Sequence, residues 1–274
     1  MDKINAPETL IASATSEGPA LLGPRWNGWT LAALAVVCLL GFFVTQTVIL
    51  TFILFRDYPD FIRYPAELQR QLSDPSFVTN LLTAKNLWVI TVLSETALAL
   101  MTIGFAQMAF RATPAQLGFS PPRKARFLFW GVGMGALLIL VSSVIEWALK
   151  VVFGPHPVQL QALALAKHHG ALAFALDLMS VSIAAPIAEE LFFRGFVFAG
   201  LAQRMSPVLA MVLSAILFGG AHLDKWSFLP IFAIGFGLAW LYYQTRSLWV
   251  NVIAHATVNT ISLVIAYTCP QCLK

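Results

Sequence analysis

Glu189 and Glu190 stand side by side in "AEELFFRG", residues 188–195, with Arg194 four positions after the second acid. Every flanking residue is apolar or small, and ionisable groups in such a stretch are expensive enough to be functional candidates by default. On a helix, residues four apart share a face, so Glu190 and Arg194 can pair while Glu189 points roughly 100° away. The pair compensates its own charge and leaves the neighbouring carboxylate for other work. Downstream, "HATVN" sets His255 and Asn259 four apart on one face. "FGGAH" ends at His222, where Gly219 and Gly220 would let helices approach closely. A carboxylate, two imidazoles and an amide are the parts for activating water and holding an oxyanion. The bland alternative is polar glue between helices, which is the natural reading of a lone histidine or asparagine. An unpaired acid beside a paired one exceeds what glue requires. Glu95, Glu146 and Asp177 are lone acids in apolar runs and read as structural or helix-end groups, protonated or paired.

The elements that must carry these residues are membrane helices. The 274 residues are 58% hydrophobic and 11% charged, with a mean hydropathy of +0.76. An ordinary soluble domain is roughly 25% charged, so lipid must be the solvent of this surface. A helix needs about 20 apolar residues to cross the hydrocarbon, and seven segments qualify: 28–55, 87–110, 127–149, 171–200, 206–223, 227–244 and 248–267. An eighth would have to hide in 150–170, which otherwise reads as a loop with an interfacial helix. The fold class is therefore all-α, a polytopic transmembrane bundle. Residues 1–26 form a disordered N-terminal segment, 27–170 the first group of spans and loops, 171–268 a polar-containing membrane core, and 269–274 a short tail. The long polar lead and the 28-residue run at 28–55 argue for a retained anchor and against a cleaved secretory signal.

Net charge is +4 and spread over loops, which excludes a nucleic-acid partner. "RATPAQLGFSPPRKAR", residues 111–126, carries four basic residues and no acid, so it and the N-terminus are expected on the cytoplasmic side. Three cysteines make no disulfide framework. Cys38 reads as an inert core residue, and the Cys269-x-x-Cys272 tail as a disulfide, a metal clip or, most commonly, nothing. No internal repeat of the kind many transporters carry is seen.

Taken in order, the motifs Glu189-Glu190-Leu-Phe-Phe-Arg194, Phe218-Gly-Gly-Ala-His222 and His255-Ala-Thr-Val-Asn259 fall in three of these apolar segments, 171–200, 206–223 and 248–267. The chain in this respect resembles the CPBP family of intramembrane proteases, the group of prenyl-protein (CAAX) type II endopeptidases and bacteriocin-processing proteins. The resemblance covers about residues 171–265, and "TPAQLGF" looks like the linker such proteins carry before the core. It implies an endopeptidase acting within the bilayer, with Glu189 and His222 polarising the attacking water, His255 and Asn259 steadying the oxyanion, and Glu190 with Arg194 holding helix geometry. The substrate would be a peptide or membrane protein, with or without a lipid modification, and the setting a bacterial inner membrane.

A metal stays open at this point. Glu189, His222 and His255 could bind zinc, but H-E-x-x-H is absent and the residue four after His255 is asparagine, a poor zinc ligand. Water activated by glutamate without a metal is favoured. Two other readings survive: a non-catalytic bacteriocin-immunity or scaffold protein of the same fold, and a proton-coupled transporter relaying through Glu95, Glu146 and Asp177.

Overall fold

The computed structural model describes residues 26–121 and 126–273; the N-terminal segment expected to be disordered lies outside them apart from Trp26. Ten helices carry the described residues: α1 Gly28–Asp57, α2 Pro65–Leu72, α3 Pro75–Leu81, α4 Ala84–Phe110, α5 Arg126–Phe153, α6 Leu160–Leu165, α7 Ala171–Leu201, α8 Pro207–Ala221, α9 Phe228–Thr245 and α10 Leu248–Thr268. Six of them, α1, α4, α5, α7, α9 and α10, are long and apolar enough to cross a membrane. The chain is an integral membrane protein. The segment expected at 206–223 is the 15-residue α8, roughly 22 Å long at 1.5 Å per residue and so short of the ~30 Å hydrocarbon. Residues 150–170 form no eighth span; they hold the end of α5 and the six-residue α6.

Local sequence sets the helix starts. The Asn27 side chain accepts from the Trp29 and Thr30 amides, Thr83 accepts from Asn86, and Ser206 accepts from Leu209 just before Pro207 at the first helical position. Each cap satisfies an amide that the helix itself cannot. At the other end of α4, the Arg111 backbone turns left-handed and its amide reaches back to Ala106 and Gln107.

Loop contacts divide the bundle into two ends. At one, the Trp26 amide donates to Gln203, Arg204 donates to the Trp26 carbonyl, and the Trp26 ring stacks on Phe110 at 4.7 Å. Ser247 and Leu248 bond to the Ser120 and Gly118 carbonyls there. At the other end, Lys167 donates to Thr79 and Asn80, and the Trp226 ring stacks on His156 and lies against Phe153. The core between them is aromatic: Phe192, Phe196, Phe198 and Phe218 are all buried. α5 and α10 pack closely because Gly131 and Gly135 face Val250 and Ala254; a Cβ on Gly131 would lie 2.8 Å from the Val250 carbonyl, and one on Gly135 would collide with that of Ala254. Small residues four apart buy that backbone approach.

Candidate active site

α7 is not a uniform α-helix. Residues 178–184 and 191–198 are π-helical, and the α-helical stretch Ala185–Glu190 between them carries both acids. Widened turns of this kind leave backbone carbonyls short of partners. The residue five after Val181 is Pro186, which has no N–H to give. The Val181 carbonyl instead accepts from Asn259 Nδ2 on α10, at 2.7 Å. The asparagine in the third motif therefore supplies the donor that the proline in α7 lacks.

Glu190 and Arg194 are fully buried and paired, Nη1 to Oε1 at 2.8 Å, as their spacing predicts. Arg194 also donates to the Gly235 carbonyl on α9 at 3.1 Å, and its guanidinium lies 4.5 Å from the Phe218 ring centre. Glu190 does more than hold the helix. Its Oε1 faces His255 Nδ1 at 2.9 Å, and its Oε2 accepts from Asn251 Nδ2 at 3.1 Å. Asn251 was not singled out from sequence, although Asn251, His255 and Asn259 recur every four residues on one face of α10. That periodicity was the signal available.

The same contacts fix how the histidines are presented. A carboxylate in an ion pair with arginine accepts, so His255 Nδ1 carries a hydrogen and Nε2 is left for other partners. His222 Nδ1 lies 2.9 Å from the Phe218 carbonyl, which can only accept, and the same consequence follows for its Nε2. The Phe218 ring stands edge-on to both imidazoles, with centroids 5.2 Å from His222 and 5.6 Å from His255. Gly219 allows the Phe228 carbonyl to come close, a Cβ there lying 3.1 Å away, whereas Gly220 has nothing within 4 Å and plays no part in helix approach.

Glu189 points away from the pair, as the helical geometry requires. Its Oε2 is buried with no hydrogen-bond partner and lies 3.9 Å from His255 Nε2, beyond hydrogen-bond reach. Glu189, His222, His255 and Asn259 all line one cavity of about 570 Å³, walled opposite by Ser143, Glu146 and Trp147 of α5. The structure thus brings the four together and keeps Glu190 and Arg194 behind them. Glu146 lies 3.7 Å from Lys150 and 3.3 Å from His156, while Asp177 accepts from Tyr267 and faces His168 at 2.8 Å. Glu95 is buried with its Oε2 unpartnered.

The donor set does not fit a zinc centre. Among the described residues no three His, Cys, Asp or Glu side chains gather around a common point, Glu189, His222 and His255 included. A catalytic zinc takes three protein ligands. Cys269 and Cys272 are joined in a disulfide, so the tail is no metal clip and is not idle.

Residues 171–261 match the family model described as type II CAAX prenyl endopeptidase Rce1-like. Over 79 residues the chain is 38% identical to the Bacillus subtilis (strain 168) protein named "Putative membrane peptidase YdiL", covering 29% of this chain and 32% of that one. Over 80 residues it is 29% identical to the "UPF0177 protein YxdF" of Lactococcus lactis subsp. lactis (strain IL1403), covering 29% of this chain and 44% of the other. The matches thus span about a third and under half of these curated relatives. No solved structure matches.

Proposed function

We propose that this chain, a CPBP-family protein by its residues 171–261, is an intramembrane endopeptidase that hydrolyses peptide bonds of membrane-associated polypeptides. The observation that carries the reading is Glu189: a buried, unpartnered carboxylate oxygen in a cavity shared with His222, His255 and Asn259. In the proposed reaction Glu189, with His222 beside the cavity, takes a proton from water as its oxygen bonds to the scissile carbonyl carbon. The carbonyl oxygen gains the negative charge and is steadied by Asn259, through the amide hydrogen not used on Val181, and by His255 as the imidazolium, which donates from Nε2 while Nδ1 stays on Glu190. Collapse breaks the C–N bond, and the proton held by Glu189 passes to the leaving amine.

Glu190 and Arg194 act behind this group by fixing the His255 ring through Nδ1. Glu189→Gln keeps shape and removes the base, so cleavage by the purified protein should fall by about 10²–10⁴-fold, with thermal unfolding unchanged. The readout is peptide release from solubilised membrane proteins; equal cleavage by Glu189→Gln and the parent would overturn the role.

A further inference from the structure

Tracing α10 from Ser247 to Cys269 carries the chain from the end where Trp26, Gln203 and Ser120 meet to the opposite end. The Cys269–Cys272 disulfide therefore lies on the same face as Thr79, Lys167 and Trp226. The cavity reaches that face too, since Pro157, Gln159, His222 and Cys272 all line it. The cavity lined by Glu189, His222, His255 and Asn259 and the disulfide share one exit.

Lysine and arginine alone do not orient the bundle: among the described residues Arg56, Arg63, Arg70, Lys85, Lys150, Lys167 and Lys225 lie toward the disulfide's end, and Arg111, Arg204 and Arg246 toward the other. The disulfide does. Thiols facing the cytoplasm are kept reduced, and structural disulfides persist in oxidising compartments. A thiol-exchange centre would be the rival use of this pair, but an attacking thiolate is favoured at a helix N-terminus. Cys269 instead caps the C-terminus of α10, where the backbone dipole disfavours negative charge.

We infer that the cavity opens to the oxidising, non-cytoplasmic side of the membrane, and that its substrates are polypeptide segments displayed on that side. The substrate clause rests on the endopeptidase reading; the sidedness does not, and labelling tests it without any activity. In acid-quenched cells, alkylation of the full chain should find one free thiol before reduction, that of Cys38, and three after it. Free Cys269 and Cys272 before reduction would overturn the inference. In a Cys38→Ala, Cys269→Ser, Cys272→Ser background, Gln159→Cys should react with a membrane-impermeant maleimide in sealed spheroplasts, and Ala115→Cys only after lysis. Labelling of Ala115→Cys in sealed spheroplasts, or failure of Gln159→Cys to label there, would overturn it as well. Correct labelling with an inactive enzyme would leave the sidedness standing and sink the endopeptidase reading.

Discussion

Glu190 takes hydrogen bonds from Arg194, His255 and Asn251, while Glu189 one residue earlier takes none. Substitutions at the two acids should therefore differ in kind. Removing one partner of a buried ion pair leaves the other charge uncompensated, at about 3–5 kcal/mol. Arg194→Ala and Glu190→Gln should each lower the thermal unfolding temperature in detergent as well as activity; a fully stable Arg194→Ala would refute the pairing as a structural element. Asn259 serves two masters, the Val181 carbonyl and the cavity. Asn259→Ala should slow turnover by about 10²–10³, the scale of a lost oxyanion donor. Loss of stability with an unchanged maximal rate would reduce Asn259 to a cap on α7. The i to i+4 spacing made Glu190–Arg194 and the His255–Asn259 face legible in the sequence. The bond from His255 to Glu190 was not legible, because it joins residues 65 apart in the chain.

At the junction of α7 with the loop before it, His168 Nδ1 faces Asp177 and Nε2 faces the Leu82 carbonyl, both at 2.8 Å. Tyr267 of α10 donates to the same Asp177 oxygen, and the neighbouring Lys167 is turned to Thr79 and Asn80. Two acceptors on one ring call for an imidazolium. Burial works against that charge, but the Asp177 and Leu82 hydrogen bonds prevail and raise the His168 pKa above its ordinary 6.5. A pKa raised on folding contributes stability that is fully present below about 6.5 and lost as pH rises through the folded value. Thermal stability of the parent should accordingly fall as pH is raised above about 6.5, and His168→Gln should flatten that fall; an unchanged slope would remove His168 from the account. The helix approach at Gly135 belongs to the same scale. Gly135→Val should push α5 off α10 beside His255, destabilising by about 1–3 kcal/mol as overpacking does and lowering activity with it. The helices themselves were legible from apolar length, but the π-helical turns of α7 were not. In the first of them the Val181 carbonyl, facing Pro186 along the helix, is met by Asn259 of α10, a tertiary compensation that 3.6-residue periodicity does not encode.

Across the whole molecule, the three motifs occupy α7, α8 and α10, yet the cavity they open into is closed by α5, which lies outside the matched segment 171–261. Composition announced a bundle and the motifs announced the residues that meet within it. The opposite wall went unannounced because Ser142, Ser143 and Trp147 carry no spacing that distinguishes a cavity lining from a lipid-facing helix. In the proposed reaction the chemistry falls to α7, α8 and α10, while α5 adds lining to the cavity that none of the three motifs supplies. Ser143 is exposed, its hydroxyl is satisfied by the Ile139 carbonyl of its own helix, and it lines the cavity without touching the acids or histidines in any hydrogen bond described. Ser143→Trp adds bulk to the cavity and leaves every catalytic contact in place. Steady-state cleavage should show KM rising about tenfold or more, as expected for about 1.4 kcal/mol of lost binding, with thermal unfolding unaltered. If the variant instead keeps its KM and loses only its maximal rate, α5 is part of the catalytic machinery and the division between the two halves of the bundle fails.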